Sequence, residues 1–117
     1  ILGTAFKPNT DDIRDSISIE LIKKFLKRKT KITIHDPKAM KNTRNVFGDK
    51  IKYAKSIDEA LLKSQCVVIM TQWKQYEKLS NNAFDNMAKK IVIDCRRVLV
   101  GKQLDVDYFA IGLGKEK

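Results

Sequence analysis

Apolar residues fall in short clusters between charged stretches, and their spacing changes along the chain. Ile1-Leu2-Gly3-Thr4-Ala5-Phe6 reads as the end of a buried strand, followed by a polar loop from Lys7 to Ser16. Ile17, Leu21, Ile22, Phe25 and Leu26 recur at near-helical spacing with lysines between them, which predicts an amphipathic helix over residues 16 to 28 capped by Asp15 or Ser16. Residues 31 to 35 contain the β-branched run Ile32-Thr33-Ile34, a strand, and Asp36-Pro37 then offers an N-cap and an N1 proline for a second helix. Ile51 to Ala54 is a weaker strand, and Ser56-Ile57-Asp58-Glu59 is a capping box that opens a helix through Ala60-Leu61-Leu62. Cys66 to Thr71 reads as a fully buried strand. Trp73 to Leu79 and Asn82 to Lys89 read as short helical pieces, Ile91 to Asp94 as another buried strand running into Cys95-Arg96-Arg97, and Tyr108 to Gly112 as a last strand. The final few residues are expected to be disordered.

Strands alternating with helices, with strands apolar throughout rather than at every second position, predict an α/β fold: a Rossmann-like three-layer sandwich with a mainly parallel sheet. The 117 residues suit one domain, which buries roughly 65% of its unfolded surface. Such a sheet gathers its strand-to-helix loops along one edge, which brings Lys7, Arg14, Asp36, Thr71, Trp73, Arg96 and Arg97 towards one another. Three of those loops carry cations, and the ligand such an edge favours is an anion.

The net charge of +10 admits nucleic acid as a partner, but its distribution argues against one. Of the 24 cationic side chains five are arginine and 19 lysine, and they are scattered. The one dense group, Lys23 to Lys31, is explained as the polar face and last turn of a helix, where cations suit the dipole. The longest apolar run, Cys66 to Met70, is far below the roughly 20 residues of a membrane helix. No export signal is present, so a soluble cytoplasmic protein is expected. Cys66 and Cys95 have neither disulfide-framework nor zinc-site spacing. The first residue is not Met, which reads as a fragment of a longer chain.

Individual residues carry two readings each. A dinucleotide-binding turn is excluded by the glycines: only Gly3 stands where G-x-G-x-x-G is needed, and Phe6, Lys7 and Pro8 fill the turn. Asp36 reads as a helix cap rather than a ribose ligand. Arg96 and Arg97 point to opposite faces, so one of them faces any given cleft. Lys7 and an arginine at a strand end serve either a surface ion pair or a phosphate, whose geometry arginine matches in bidentate fashion. Asp11 and Asp12 read as turn formers and partners of nearby cations. Cys95 is either a thiol activated by two arginines or a small buried strand residue. Trp73 and Tyr76 either stack on a base or pack the sheet edge. Together these residues support anion binding and supply no complete catalytic apparatus.

Four ordered motifs go further. Gly3 to Ser16, His35-Asp36-Pro37-Lys38-Ala39, Thr71-Gln72-Trp73 and Ile93-Asp94-Cys95-Arg96-Arg97 resemble, in order, the segments that mark the C-terminal, UDP-binding domain of the UDP-glucose/GDP-mannose dehydrogenase family. The resemblance covers nearly all of residues 1–117 and implies a domain of an enzyme that oxidises a sugar C6 alcohol to a carboxylate by two NAD-dependent hydride transfers, through a cysteine-bound intermediate. By resemblance Phe6, Lys7 and Arg96 contact the nucleotide sugar and Arg14 reaches NAD. The resemblance puts the NAD-binding and central domains, the catalytic cysteine and the helix that pairs subunits of a homo-oligomer, at least a dimer, upstream of Ile1, so this piece alone is expected to be inactive. Three positions depart from the family pattern: Cys95 replaces a glycine, Ile17 a common proline and Gln72 a common glutamate. The loop sequence leans towards UDP-glucose, with UDP-N-acetylmannosamine or GDP-mannose as alternatives and a stand-alone nucleic-acid-binding module as the alternative of another class.

Overall fold

Every strand pairing in the computed structural model, which describes residues 1–111, is parallel. Strand β1 (Thr33–Ile34) pairs with β2 (Lys52–Tyr53), and β3 (Val67–Ile69), β4 (Ile91–Asp94) and β5 (Asp107–Ala110) form a second ladder in that order. Leu2 joins the two ladders, bridging His35 on one side and Ile69 on the other. The spatial order is therefore β2, β1, Leu2, β3, β4, β5. Chain order reverses beside Leu2, which makes the gap between Leu2 and β3 the switch point of a doubly wound sheet, the place where such folds bind ligands.

The expected opening strand shrinks to that single residue for a local reason. Gly3 adopts φ 100°, and beyond it the amides of Thr4 and Ala5 turn to a side chain instead of a ladder. Strands β1, β2 and β3 are likewise shorter than expected, β4 spans Ile91–Asp94 as expected, and the last spans Asp107–Ala110; Gly112 and the chain end expected to be disordered lie outside the described residues.

Both faces of the sheet are covered near its centre. Alternation along the strands sends Leu2, Val67, Ile69 and Val92 into a core with Leu61 of α3 (Ile57–Leu61), Tyr76 of α4 (Lys74–Glu77) and Phe84. Ile32 and Ile34 point the other way and pack with Ile19 and Ile22 of α1 (Ile17–Lys27) and Phe47 of α2 (Met40–Phe47). The three-layer arrangement is thus as expected. Cover is thinner at the margin: β5 is an edge strand, and Phe109 remains 53% exposed.

Helix starts also differ in detail. Ser16 occupies the N-cap position of α1, but its hydroxyl donates to the Thr4 carbonyl (2.8 Å) instead of capping. Asp36 does receive two amides, from Lys38 (2.9 Å) and Ala39 (2.8 Å), yet regular helix begins only at Met40, so Pro37 stands in a turn before it. Ser56 caps α3 by accepting from the Glu59 amide (3.0 Å), while the Glu59 carboxylate accepts from Lys55, one residue earlier than a capping box requires. The segment expected to be helical after Asn82 is one 3-10 turn, Asn81–Phe84, followed by turns. No helix among the described residues is long and apolar enough to cross a membrane.

Candidate functional site at the switch point

Residues 3 to 6 have no regular secondary structure, yet nearly every polar backbone group in the segment is bonded. The Gly3 amide donates to the His35 carbonyl (2.8 Å), Thr4 and Ala5 donate to Asp36 Oδ2 (2.8 and 2.9 Å), and Phe6 donates to the Asp12 carbonyl (2.6 Å). The carbonyls of Gly3, Thr4 and Ala5 accept from the hydroxyls of Ser18, Ser16 and Thr71 at 2.8, 2.8 and 3.0 Å. Buried amides and carbonyls left without partners cost about 1–3 kcal/mol each, so the segment has one low-energy course. Gly3 is required there: a Cβ would lie 2.7 Å from the Thr71 backbone nitrogen.

Asp36 is the centre of this construction. It is fully buried, and besides the four amides already named its Oδ2 accepts from the Trp73 indole Nε1 (3.1 Å). Helix capping, the role expected of it, is therefore one half of its work. The other half ties the opening loop and the Thr71–Trp73 loop to one carboxylate, and no spacing rule announces that. A buried acid at the end of a β-branched run was the available signal.

The fixed segment delivers Phe6 and Lys7 to the surface, with Phe6 46% exposed and Lys7 exposed and in no ion pair among the described residues. Asp12 carries its own cation. Its carboxylate is gripped by Arg14 through Nε (3.0 Å) and Nη2 (2.9 Å), and that contact holds its pKa down at about 2. Arg14 itself lies far out in solvent, its side chain 87% exposed. Asp11 bonds through its carbonyl to Asn42 (2.8 Å), in keeping with a turn-forming role.

The second cation comes from across β3. Asp94, fully buried at the end of β4, accepts the amides of Arg96 (3.2 Å) and Val98 (3.1 Å) on Oδ1, and the Leu99 amide (2.8 Å) and Tyr108 hydroxyl (2.7 Å) on Oδ2. The Arg96 side chain turns back over β3: its Nε donates to the Met70 carbonyl (2.8 Å), while Gln72 Nε2 donates to the Arg96 carbonyl (3.3 Å). The Met70 amide bonds Leu2 (2.8 Å), so Arg96 is aimed at the switch point, with Nη1 and Nη2 free of partners among the described residues. Arg97, at φ 60°, diverges towards Tyr108, whose phenol its charge influences. The two arginines therefore part, not by strand alternation as expected, since both lie past the end of β4, but because Arg97 takes a left-handed backbone.

Where two readings stood open, the structure selects one. Trp73 and Tyr76 are buried, with their polar atoms committed to Asp36 and to His35, so neither offers a face for stacking; Phe6 is the exposed aromatic ring of this edge. Cys95 is half-buried just past β4, and burial together with Asp94 pushes its thiol pKa up, which removes the activated-thiol reading. Cys66, placed by the sequence in a buried strand, is exposed just before β3. A groove of about 610 Å³ opens at the opposite, amino edge of the sheet between Phe25, Ile32 and Leu61, away from Lys7 and Arg96. At the carboxyl edge, then, two cations and an aromatic ring surround the switch point, and the nearby acids are consumed as acceptors. Two exposed cations beside an exposed ring are chemically suited to an anionic, phosphorylated ligand.

Residues 1–101 match the family model described as the UDP binding domain of the UDP-glucose/GDP-mannose dehydrogenase family. The UDP-glucose 6-dehydrogenase AglM of Haloferax volcanii is 40% identical over 108 residues, which are 92% of this chain and 24% of that protein. The UDP-glucose 6-dehydrogenase YwqF of Bacillus subtilis is 29% identical over 116 residues, 96% of this chain and 26% of that protein. Among solved structures, a UDP-glucose dehydrogenase from Pyrobaculum islandicum superposes with TM-score 0.78 at 37% identity, covering 92% of this chain and 23% of that one. A UDP-D-ManNAc dehydrogenase from Pyrococcus horikoshii has the same fold, with TM-score 0.77 at 20% identity over 95% of this chain and 24% of that one. The chain spans about a quarter of the length of these relatives.

Proposed function

From the premise that the chain belongs to the UDP-glucose/GDP-mannose dehydrogenase family, as its UDP-binding domain, we propose that it is the nucleotide-sugar-binding part of an NAD-dependent UDP-glucose 6-dehydrogenase. The observation that carries this reading is the turn of Arg96 over β3 onto the Met70 carbonyl, which directs its free guanidinium nitrogens to the gap beside the Lys7 loop. A diphosphate held between them gains charge-assisted bonds of about 1.5–3 kcal/mol each, enough in sum for micromolar binding before ordering costs. Phe6 packs beside the nucleotide, and fixing the diphosphate positions the sugar C6 for reaction. UDP-glucose is favoured as substrate by the relative with 40% identity.

NAD, when bound to the whole enzyme, accepts the hydride. This chain does not fit the seat of that cofactor, because the amides of Thr4 and Ala5, which a pyrophosphate would need, are given to Asp36. What it offers is Arg14, held outward by Asp12 and placed to meet the cofactor's phosphates from across a domain boundary. The catalytic cysteine then comes from another part of the longer protein, and the isolated domain turns over no substrate. The full-length enzyme works as a cytoplasmic homo-oligomer, at least a dimer, without nucleic acid or membrane.

Calorimetric titration with UDP tests the site. Lys7→Ala and Arg96→Ala are each expected to weaken binding at least tenfold, about 1.4 kcal/mol. Tight binding unchanged by either substitution overturns the assignment, and strongly salt-dependent DNA binding that UDP does not displace would favour the nucleic-acid reading.

A further inference from the structure

The two cations proposed to hold the diphosphate share a design. Each follows a short stretch of chain anchored by a fully buried aspartate that, among the described residues, has no cationic partner and is satisfied by N–H and O–H donors alone. Asp36 fastens Thr4 and Ala5, three and two residues before Lys7. Asp94 fastens the Arg96 amide itself. In both, one donor is an aromatic side chain from a different element: Trp73 Nε1 on Asp36 (3.1 Å) and Tyr108 Oη on Asp94 (2.7 Å). Tyr108 lies beyond residues 1–101, the part of the chain that the family model covers.

We propose that Trp73 and Tyr108 are positioning residues, which hold Asp36 and Asp94 in the orientations that set Lys7 and Arg96 for a nucleoside diphosphate. This inference rests on the nucleotide reading above. The physical ground is that a buried carboxylate with several donors has one orientation in which all are satisfied, and losing the donor that comes from another element frees it to rotate with the loop attached. Backbone donors alone leave Asp36 tied to its own turn and the opening loop, and leave Asp94 tied to residues 96 to 99. The aromatic donors reference both carboxylates to the packed sheet.

Tyr108→Phe removes one donor and keeps the ring, Trp73→Phe removes one donor and leaves a smaller ring in its place, and Tyr53→Phe is the control, since it deletes a comparable bond to the Gly48 carbonyl (2.7 Å) far from the switch point. Affinity is read for UDP and for uridine, which lacks the phosphates. Trp73→Phe and Tyr108→Phe are each expected to lower the UDP-to-uridine affinity ratio roughly tenfold, and the double variant further, whereas Tyr53→Phe leaves it unchanged. A ratio unmoved in both site variants, or moved as much by Tyr53→Phe, overturns the inference. Amide hydrogen exchange supplies a readout independent of ligand: faster exchange at Thr4 to Phe6 in Trp73→Phe and at Arg96 to Leu99 in Tyr108→Phe supports the anchoring, and unchanged rates overturn it. Wild-type protein that binds no UDP overturns the nucleotide reading itself, and the exchange rates alone then decide whether the anchors exist.

Discussion

The Trp73 indole nitrogen donates to the same oxygen of Asp36, Oδ2, that receives the amides of Thr4 and Ala5. One atom thus joins three segments far apart in sequence: the opening loop, the turn after β1 and the loop after β3. Those segments flank the switch point of the sheet, so the carboxylate does for this edge what a ladder does for a strand. In the proposed nucleotide site, a loop fixed in this way before the ligand arrives would spare binding part of its ordering cost.

Asp36→Asn is expected to destabilise the fold by about 3–5 kcal/mol, although it is nearly isosteric, because an amide presents two N–H groups of its own to at least two buried donors whichever way it is turned. Urea unfolding checks this: the midpoint should fall with the slope unchanged. A loss under about 1 kcal/mol would mean that the five donors find other partners.

Gly3→Ala is expected to cost about 2–4 kcal/mol, since it combines a left-handed backbone with overpacking. The backbone sits at φ 100°, and the new methyl group would meet Thr71 at Cβ (2.5 Å) and at the main-chain nitrogen (2.7 Å). Because main chain is part of that clash, Thr71→Ala should not rescue it. Thermal unfolding of the single and double variants measures both statements, and recovery in the double variant would show that only the hydroxyl was in the way.

Much of this was legible in the sequence, and the boundary has a physical cause. Periodicity located α1 because its apolar stripe is local, and the β-branched runs located β1, β3 and β4. β4 was read at its true length but others were overstated, since a run such as Cys66 to Thr71 shows which residues avoid water but not where the ladder ends. The cationic loops followed from α/β topology. Asp36 and Asp94 did not, because an acid that bonds its own turn and an acid that also bonds a distant indole or phenol look the same in one dimension. Trp73 shows the same limit: burial and one donor to Asp36 turn an apparent stacking ring into a strut.

Arg14→Ala should separate the two ligands of the proposed enzyme. Its guanidinium is exposed and bonded to Asp12, and the Phe6 amide is held by the Asp12 carbonyl and not by its carboxylate. Removing the side chain therefore leaves the Lys7 loop in place. In the full-length dehydrogenase KM for NAD is expected to rise about tenfold while the dissociation constant for UDP stays within about twofold. A comparable loss in UDP affinity would place Arg14 in the nucleotide-sugar site instead.

His35 gives the domain a pH dependence with a definite sign. Its ring is buried, Nδ1 lies 2.9 Å from the Tyr76 hydroxyl, and that hydroxyl donates to the His35 carbonyl (2.9 Å), so Nδ1 carries a proton, and burial favours the neutral imidazole over the charged one. Burial lowers the His35 pKa against a smaller opposing pull from Asp36. For a base whose pKa is lower folded than unfolded, protons bind first to the unfolded chain as pH falls below the unfolded value of about 6.5, so stability is whole above that pH and declines below it until the folded pKa is passed. The slope contributed by one such group is at most about 1.4 kcal/mol per pH unit. The His35 share of the thermal midpoint should accordingly be flat from pH 8 to 7 and fall between pH 6.5 and 5. In His35→Asn, which keeps a donor near Nδ1 but does not titrate, the fall should be shallower by the His35 share. The His35 carbonyl also receives the Gly3 amide at 2.8 Å, so the same protonation is expected to loosen the opening loop and weaken UDP binding in step. Equal pH slopes in the wild type and His35→Asn would assign the decline to other groups.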